Sequence, residues 1–129
     1  MLDGALYAIG GRSGYSDFGD VYRFQAETGW QSAPGIPPRG TAGAISHCGK
    51  LWVFGGESQS SGKVLAEVFS YAPVDKIWRT QTPLPQARNF ARAVWFNNAV
   101  WVVGGSLSAG NSHAAQGSAV VEMAGLGCG

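Results

Sequence analysis

Arg39 and Arg88 are the side chains best placed to meet a ligand. They stand 49 residues apart, each just ahead of a short run of small apolar residues, in "PPRGTAGAI" and "QARNFARAV". A guanidinium presents a planar fork of donors that can take a carboxylate through two parallel bonds. Asn89 and Arg92 lie beside the second copy and extend the polar cluster. Two readings stay open for this position. The forks face the mouth of a channel and meet an acidic ligand or partner, or they hold neighbouring structural units together by donating to loop carbonyls.

Other chemistry finds less support. The two histidines, His47 and His113, are too few and too far apart in sequence for a histidine-rich metal centre. His47 is expected to be structural, and His113 solvated in the polar loop "SLSAGNSHAAQG". Cys48 is expected to be a small buried hydrophobe beside a strand, the common fate of a free cysteine. Cys128, in a glycine-rich tail, is expected to be inert unless it pairs between chains. No serine sits in a G-x-S-x-G elbow, and "GGRSG" has neither the spacing nor the helix of a phosphate loop. The carboxylates Asp3, Asp17, Asp20, Glu27, Glu57, Glu67, Asp75 and Glu122 fall mostly in loops. No catalytic constellation, metal site or cofactor is expected, so the chain is not read as an enzyme by itself.

The elements that carry these side chains repeat. "LYAIGG", "LWVFGG" and "VWVVGG" end in the pairs Gly10-Gly11, Gly55-Gly56 and Gly104-Gly105, spaced by 45 and then 49 residues. A period of that size signals a repeat architecture. Around each pair the chain reads as four short strands. A small apolar strand (42–46, 91–96) leads through a tight turn, "CGK" or "NNA", to the strand that closes on the glycines. A polar loop then leads to a third strand (21–24, 68–71), and a Pro/Asp/Thr/Gly-rich turn to a fourth bearing Trp30 or Trp78. Four consecutive strands joined by short loops make an antiparallel sheet. Repetition at this period makes a propeller.

At this point the chain resembles the kelch repeat. The marks are the double glycines, the third-strand aromatics Phe24 and Tyr71, and the tryptophans Trp30 and Trp78 that follow them. The resemblance implies an all-β, partial kelch β-propeller of about two and a half four-stranded antiparallel blades. Residues 1–38 form a blade lacking its inner strand, since Met1 and Leu2 align on Ser46 and His47. Residues 39–87 form a complete blade, 88–123 an incomplete one with "SAVVEM" as a degraded third strand, and 124–129 a loose tail. It also implies small inner strands converging on a central channel, which suits Ala42-Gly43-Ala44. Copper oxidases with such propellers use tyrosines, histidines and a crosslinked cysteine that cannot be placed here.

Function follows from what the chain has and lacks. It is 45% hydrophobic and 13% charged, with twenty glycines, five tryptophans and a net charge of +1. Nothing resembles the basic stripe that nucleic acid requires, and no run approaches the roughly 18 apolar residues of a membrane span. "MLDGALYAIGG" has no charged leader and too short an apolar run for a signal peptide. The chain is therefore expected in the cytoplasm, or in the periplasm or outside the cell if its natural start lies upstream. The reading is a protein-interaction or ligand-binding scaffold that meets a protein partner, the remaining blades of a longer chain, or a second copy that closes the ring. The alternative is a fragment of a bacterial carbohydrate-active kelch protein, because "ARNFARAVWFNNAVWVVGG" followed by "SAVVEM" is similar to the last blade of sialic-acid mutarotases. On that reading Arg88 and Arg92 would meet the sugar carboxylate.

Overall fold

Three two-residue turns set the frame. Asp3-Gly4, Cys48-Gly49 and Asn97-Asn98 all have φ between 49° and 72°. Positive φ at both central residues gives a primed turn, whose twist matches that of the strands it joins. The computed structural model describes residues 1–110 and 117–128, so the reading of His113 lies outside the described residues.

β1 (Leu6–Ser13), β2 (Ser16–Gln25) and β3 (Gly29–Ala33) form one antiparallel sheet in that order. β4 (Gly43–His47) and β5 (Lys50–Phe54) begin the second. A small hairpin of β6 (Glu57–Ser58) and β7 (Lys63–Val64) interrupts it before β8 (Val68–Ala72) and β9 (Ile77–Gln81) complete the order β4-β5-β8-β9. β10 (Arg92–Phe96), β11 (Ala99–Val103) and β12 (Val121–Ala124) form the third. The chain is all-β over the described residues, with one four-stranded sheet flanked by two of three strands. Among these residues no helix is long and apolar enough to cross a membrane.

Several expectations are refined. The inner strands start one residue later than their apolar runs, at Gly43 and Arg92. The last strand is Val121–Ala124 rather than the whole of "SAVVEM". The loop after Gly55-Gly56 folds into its own hairpin. β1 does not stop at its glycines but passes them with a register shift between Ile9 and Gly11. Cys48 is not a buried hydrophobe. It occupies the first position of an exposed turn, where the strand pair ends and side chains point outward, and it is disulfide-bonded to Cys128 across a separation of 80 residues.

Strand alternation sends side chains to two faces, and both faces of the middle sheet are buried. Leu51, Tyr71 and Trp78 share one face by register and pack with Leu2, Tyr7 and Ile9 of the first sheet and its leading turn. Trp52, Phe54 and Val68 face the other way, onto Ala91, Val100 and Val102. Fully burying a side chain of this size contributes roughly 1.5–3 kcal/mol. The inner strands β4 and β10 approach closely: a Cβ on Gly43 would lie 3.1 Å from Ala91 O and 3.6 Å from Ala93 Cβ. That is the physical reason for the small residues there.

The outward faces of the two flanking sheets have no neighbouring sheet among the described residues. Leu6, Tyr22 and Trp30 stand on one, Trp30 being 54% exposed and tilted at 47° against Phe24, with ring centroids 5.1 Å apart. Val94, Phe96, Val103, Val121 and Met123 stand on the other.

Candidate functional site: the crossover arginines and the loop rim

The site is built where the chain leaves one sheet and enters the next. The crossover 34–41 runs under the first glycine pair, and the crossover 83–90 under the second. Gly11 N donates to Arg39 O at 2.9 Å, and Gly56 N to Arg88 O at 2.9 Å. A Cβ on Gly10 would lie 2.7 Å from Arg39 O, and one on Gly55 would lie 2.5 Å from Arg88 O. Both glycines also have φ of +59°. The pair is required twice over, by backbone conformation and by the carbonyl that presses on it.

Each arginine then reaches forward. Arg39 Nη1 donates to Gly55 O at 3.0 Å and Nε to Pro37 O at 3.1 Å, with the guanidinium 4.7 Å from the Phe69 ring centroid. Arg88 Nη1 donates to Gly104 O at 3.1 Å and to Val120 O at 2.8 Å, while Nη2 stands 3.2 Å from Glu122 Oε2. The backbone carbonyl of each arginine thus holds the glycine pair behind it, and its fork holds the glycine pair ahead. Arg88 is 0% exposed and Arg39 2%. Burial lowers the pKa of Arg39, opposed by the charge of Glu67. Of the two readings of these residues, this is the geometry of inter-sheet stitching.

Asn89 is buried and Arg92 exposed, so the structure does not gather the four sequence candidates at one open surface. Asn89 instead joins a network the sequence reading missed. Its Nδ2 donates to Glu57 Oε2 at 2.8 Å and to Ser108 O at 3.2 Å. Gly110 N also donates to Glu57 Oε2, at 2.8 Å, and Arg12 Nη1 lies 2.8 Å from Glu57 Oε1. Gln59 N donates to Asp17 Oδ2 at 2.7 Å. Glu57 is fully buried and unites the loops that follow all three glycine pairs into one continuous rim. The available signal was positional: Arg12, Glu57 and Ser106 each directly follow a glycine pair.

Aromatic groups stand out from this rim. Tyr15, at the tip of the β1–β2 hairpin, is 95% exposed. Phe90 is half exposed, with Arg12 Cζ 5.7 Å from its ring centroid. Phe90 has φ of +54° and Thr41, at the equivalent place, +57°. Bulky and β-branched residues adopt that conformation only where the surroundings impose it, and such strain gathers at working surfaces.

A second feature lies between the middle and third sheets. A cleft of about 480 Å³ is lined by Trp52, Phe54, Leu84, Val100, Val102 and Leu126. Its walls are mostly apolar, with Gln81, Thr82 and Glu122 among the residues that line it.

No family model matches the chain. Among curated proteins it is 34% identical over 114 residues to beta-scruin and 33% identical over 115 residues to alpha-scruin, both of Limulus polyphemus. It is 29% identical over 109 residues to kelch-like protein 35 of Mus musculus. The matches cover 82%, 82% and 83% of this chain, but 12% of each scruin and 19% of the mouse protein. The chain therefore spans about an eighth of the length of the scruins it matches. None of these three is a sugar mutarotase, and Arg88, which a sugar carboxylate would need, has its fork turned into backbone carbonyls. The sialic-acid reading has no support from either side. The chain carries the repeat marks of glycine pair, third-strand aromatic and tryptophan, and it is similar over more than four fifths of its length to the scruins and to a kelch-like protein; it belongs to the kelch-repeat family.

Proposed function

We propose that this chain is part of a protein-binding propeller and that the rim formed by the loops after the glycine pairs is its contact surface. The observation that carries the reading is the division of labour among the polar groups. The crossover arginines and Asn89 are occupied in holding the frame, while Tyr15 and Phe90 stand exposed on loops locked together through Glu57. Rigidly presented aromatics are the usual anchors of protein interfaces, because they bury large area at low entropic cost. Arg92 is exposed at the start of β10 and adds a cation to the third sheet.

The test is site-specific photocrosslinking in cells of the source organism. A benzophenone side chain at position 15 or 90 is expected to give a discrete adduct with the same partner. One at Val74, 93% exposed in the β8–β9 turn, is expected to give none. Equal labelling from all three positions, or none from the rim, defeats the proposal.

A further inference from the structure

His47, Cys48 and Cys128 converge, although the sequence separates the last from the others by some eighty residues. The Nε2 of His47 lies 3.1 Å from Cys48 Sγ, 3.9 Å from Cys128 Sγ and 3.3 Å from Leu126 O, to which it donates in the oxidised chain. The three donor atoms lie within 4.8 Å of one another, the one group of this kind among the described residues. Different parts of the fold bring them together. His47 ends β4, Cys48 opens the turn to β5, and Cys128 lies beyond β12. The imidazole stacks on Trp95 of the neighbouring inner strand, centroids 3.7 Å apart and planes at 23°, which fixes the direction of its ring nitrogens. Both cysteines are exposed.

We infer that, once the Cys48–Cys128 disulfide is reduced, these three residues form a binding site for a thiophilic divalent cation such as zinc. Two thiolates and one neutral imidazole are a donor set that such ions select, leaving a fourth position for water. The spacing fits. For a tetrahedral ion with Zn–S of about 2.3 Å and Zn–N of about 2.0 Å, the imidazole nitrogen lies about 3.5 Å from each sulfur. The two observed distances, 3.1 and 3.9 Å, straddle that value. The sulfurs must separate to about 3.8 Å in the same geometry. Rotation of Cys128 in the irregular segment after β12 supplies that movement while the Cα–Cα distance starts at 5.3 Å.

Oxidation and metal binding exclude one another. In the disulfide neither sulfur carries the thiolate charge that a metal ligand needs. A dithiol reductant opens the site. Its thiolate attacks one sulfur, the S–S bond breaks to give a mixed disulfide, and its second thiol displaces the remaining chain cysteine. The reductant leaves as a disulfide and the chain keeps two thiols. The cation then displaces one proton from each thiol and takes the Nε2 lone pair, which requires the imidazole to leave Leu126 O and carry its proton on Nδ1 instead. The site thereby reports the redox state of its surroundings by loading or releasing an ion.

The full chain, reduced with a phosphine and desalted, is titrated with cobalt(II), whose thiolate charge-transfer and d–d bands reveal tetrahedral sulfur ligation. One equivalent is expected to bind the reduced chain and none the oxidised chain, with zinc displacing the cobalt. Cys128→Ser is expected to abolish the bands. His47→Gln is expected to weaken binding by at least about tenfold, as loss of a direct ligand should cost no less than loss of its supporting contacts. Far-ultraviolet circular dichroism of the reduced, metal-free chain runs alongside. Cobalt captured by loose thiols of an unfolded chain would not depend on His47. Absence of the thiolate bands after reduction, cobalt uptake by the oxidised chain, or an unchanged His47→Gln titration each overturns the inference.

Discussion

Replacing Arg88 by alanine tests the central structural claim, that the crossover arginine locks two sheets together. Arg88 is fully buried, and its Nη1 serves Gly104 O and Val120 O. Its Nη2 lies 3.2 Å from Glu122, whose side chain is only 13% exposed. Truncation leaves Gly104 O without that donor and strands the carboxylate in a poorly solvated place. Hydrogen bonds from a charged donor contribute about 1.5–3 kcal/mol each, and removing one partner of a buried ion pair costs about 3–5 kcal/mol. These terms overlap, so the expected loss is about 4 kcal/mol, a large share of the 5–15 kcal/mol typical of a whole domain. Arg39→Ala is the internal comparison. Its acidic neighbour Glu67 is 48% exposed and 3.6 Å away, so water can solvate the carboxylate left behind. Its expected loss is about 3 kcal/mol, the low end for two carbonyl bonds from a charged donor, since the Pro37 bond is local and the Phe69 contact is modest. Urea denaturation followed by tryptophan fluorescence reads both. Adding Glu122→Gln to Arg88→Ala should recover part of the loss, since the orphaned charge is then gone. If Arg88→Ala costs less than about 1 kcal/mol, or no more than Arg39→Ala, the stitching argument fails.

Gly55→Ala forces a Cβ to 2.5 Å from Arg88 O at a φ of +59°, and is expected to cost several kcal/mol, whereas Gly49→Ala meets nothing within 4 Å and should cost only the left-handed backbone, about 1–2 kcal/mol by chemical denaturation. Trp78→Ala should cost about 2–3 kcal/mol, below the 3–5 of a fully buried aromatic, because the indole is only partly buried against Tyr71 and donates from Nε1 to Pro34 O at 2.7 Å; Trp78→Phe should recover the packing but not the bond. Burial, with a smaller contribution from Tyr7, raises the pKa of the Tyr71 hydroxyl, so the folded state keeps that proton longer than the unfolded chain. Its stabilising effect is therefore present below the unfolded value of about 10 and lost as pH rises through the raised folded value, a decline in melting temperature that Tyr71→Phe should reduce. The apolar outer faces around Trp30 and around Met123 are expected to drive self-association of the isolated chain, so light scattering should show mass rising with concentration and a cooperative monomer at high concentration would contradict it.

The frame was legible because its requirements are local and recur. A glycine under a pressing carbonyl, a two-residue primed turn, and a tryptophan one strand after an aromatic are each fixed by backbone geometry within a few residues. The glycine pairs and the primed turns therefore recur in all three copies, and the aromatic–tryptophan pair in the first two. The crossover arginines were visible as equivalent positions, but sequence could not say which way the forks point. That depends on where the next sheet's Gly55 and Gly104 carbonyls fall. Glu57 looked like one loop carboxylate among several. Its burial arises only when the loops of three sheets close around it. The meeting of His47 with Cys128 is less legible still, because it depends on the path of the chain after β12.

The same comparison separates frame from recognition. Positions that hold sheets together must be alike from repeat to repeat, since Gly10-Gly11 and Gly55-Gly56 meet the same crossover carbonyl, that of Arg39 or Arg88. Positions that distinguish one partner from another must differ. The residue directly after the glycine pair is arginine at 12, glutamate at 57 and serine at 106: positive, negative and neutral at one structural place. A repetitive scaffold thereby carries a rim without repeat symmetry. Arg12 pairs with Glu57 Oε1 at 2.8 Å, and Asn89 donates to the other carboxylate oxygen, so the charge of the buried acid is compensated. What this arrangement offers outward is apolar and aromatic, Tyr15 and the Phe90 ring beneath Arg12, rather than a charge. A partner matched to it would present a complementary apolar pocket. Lys63, on β7, adds an exposed charge to these loops, so salt should weaken binding only modestly if the aromatics carry the contact.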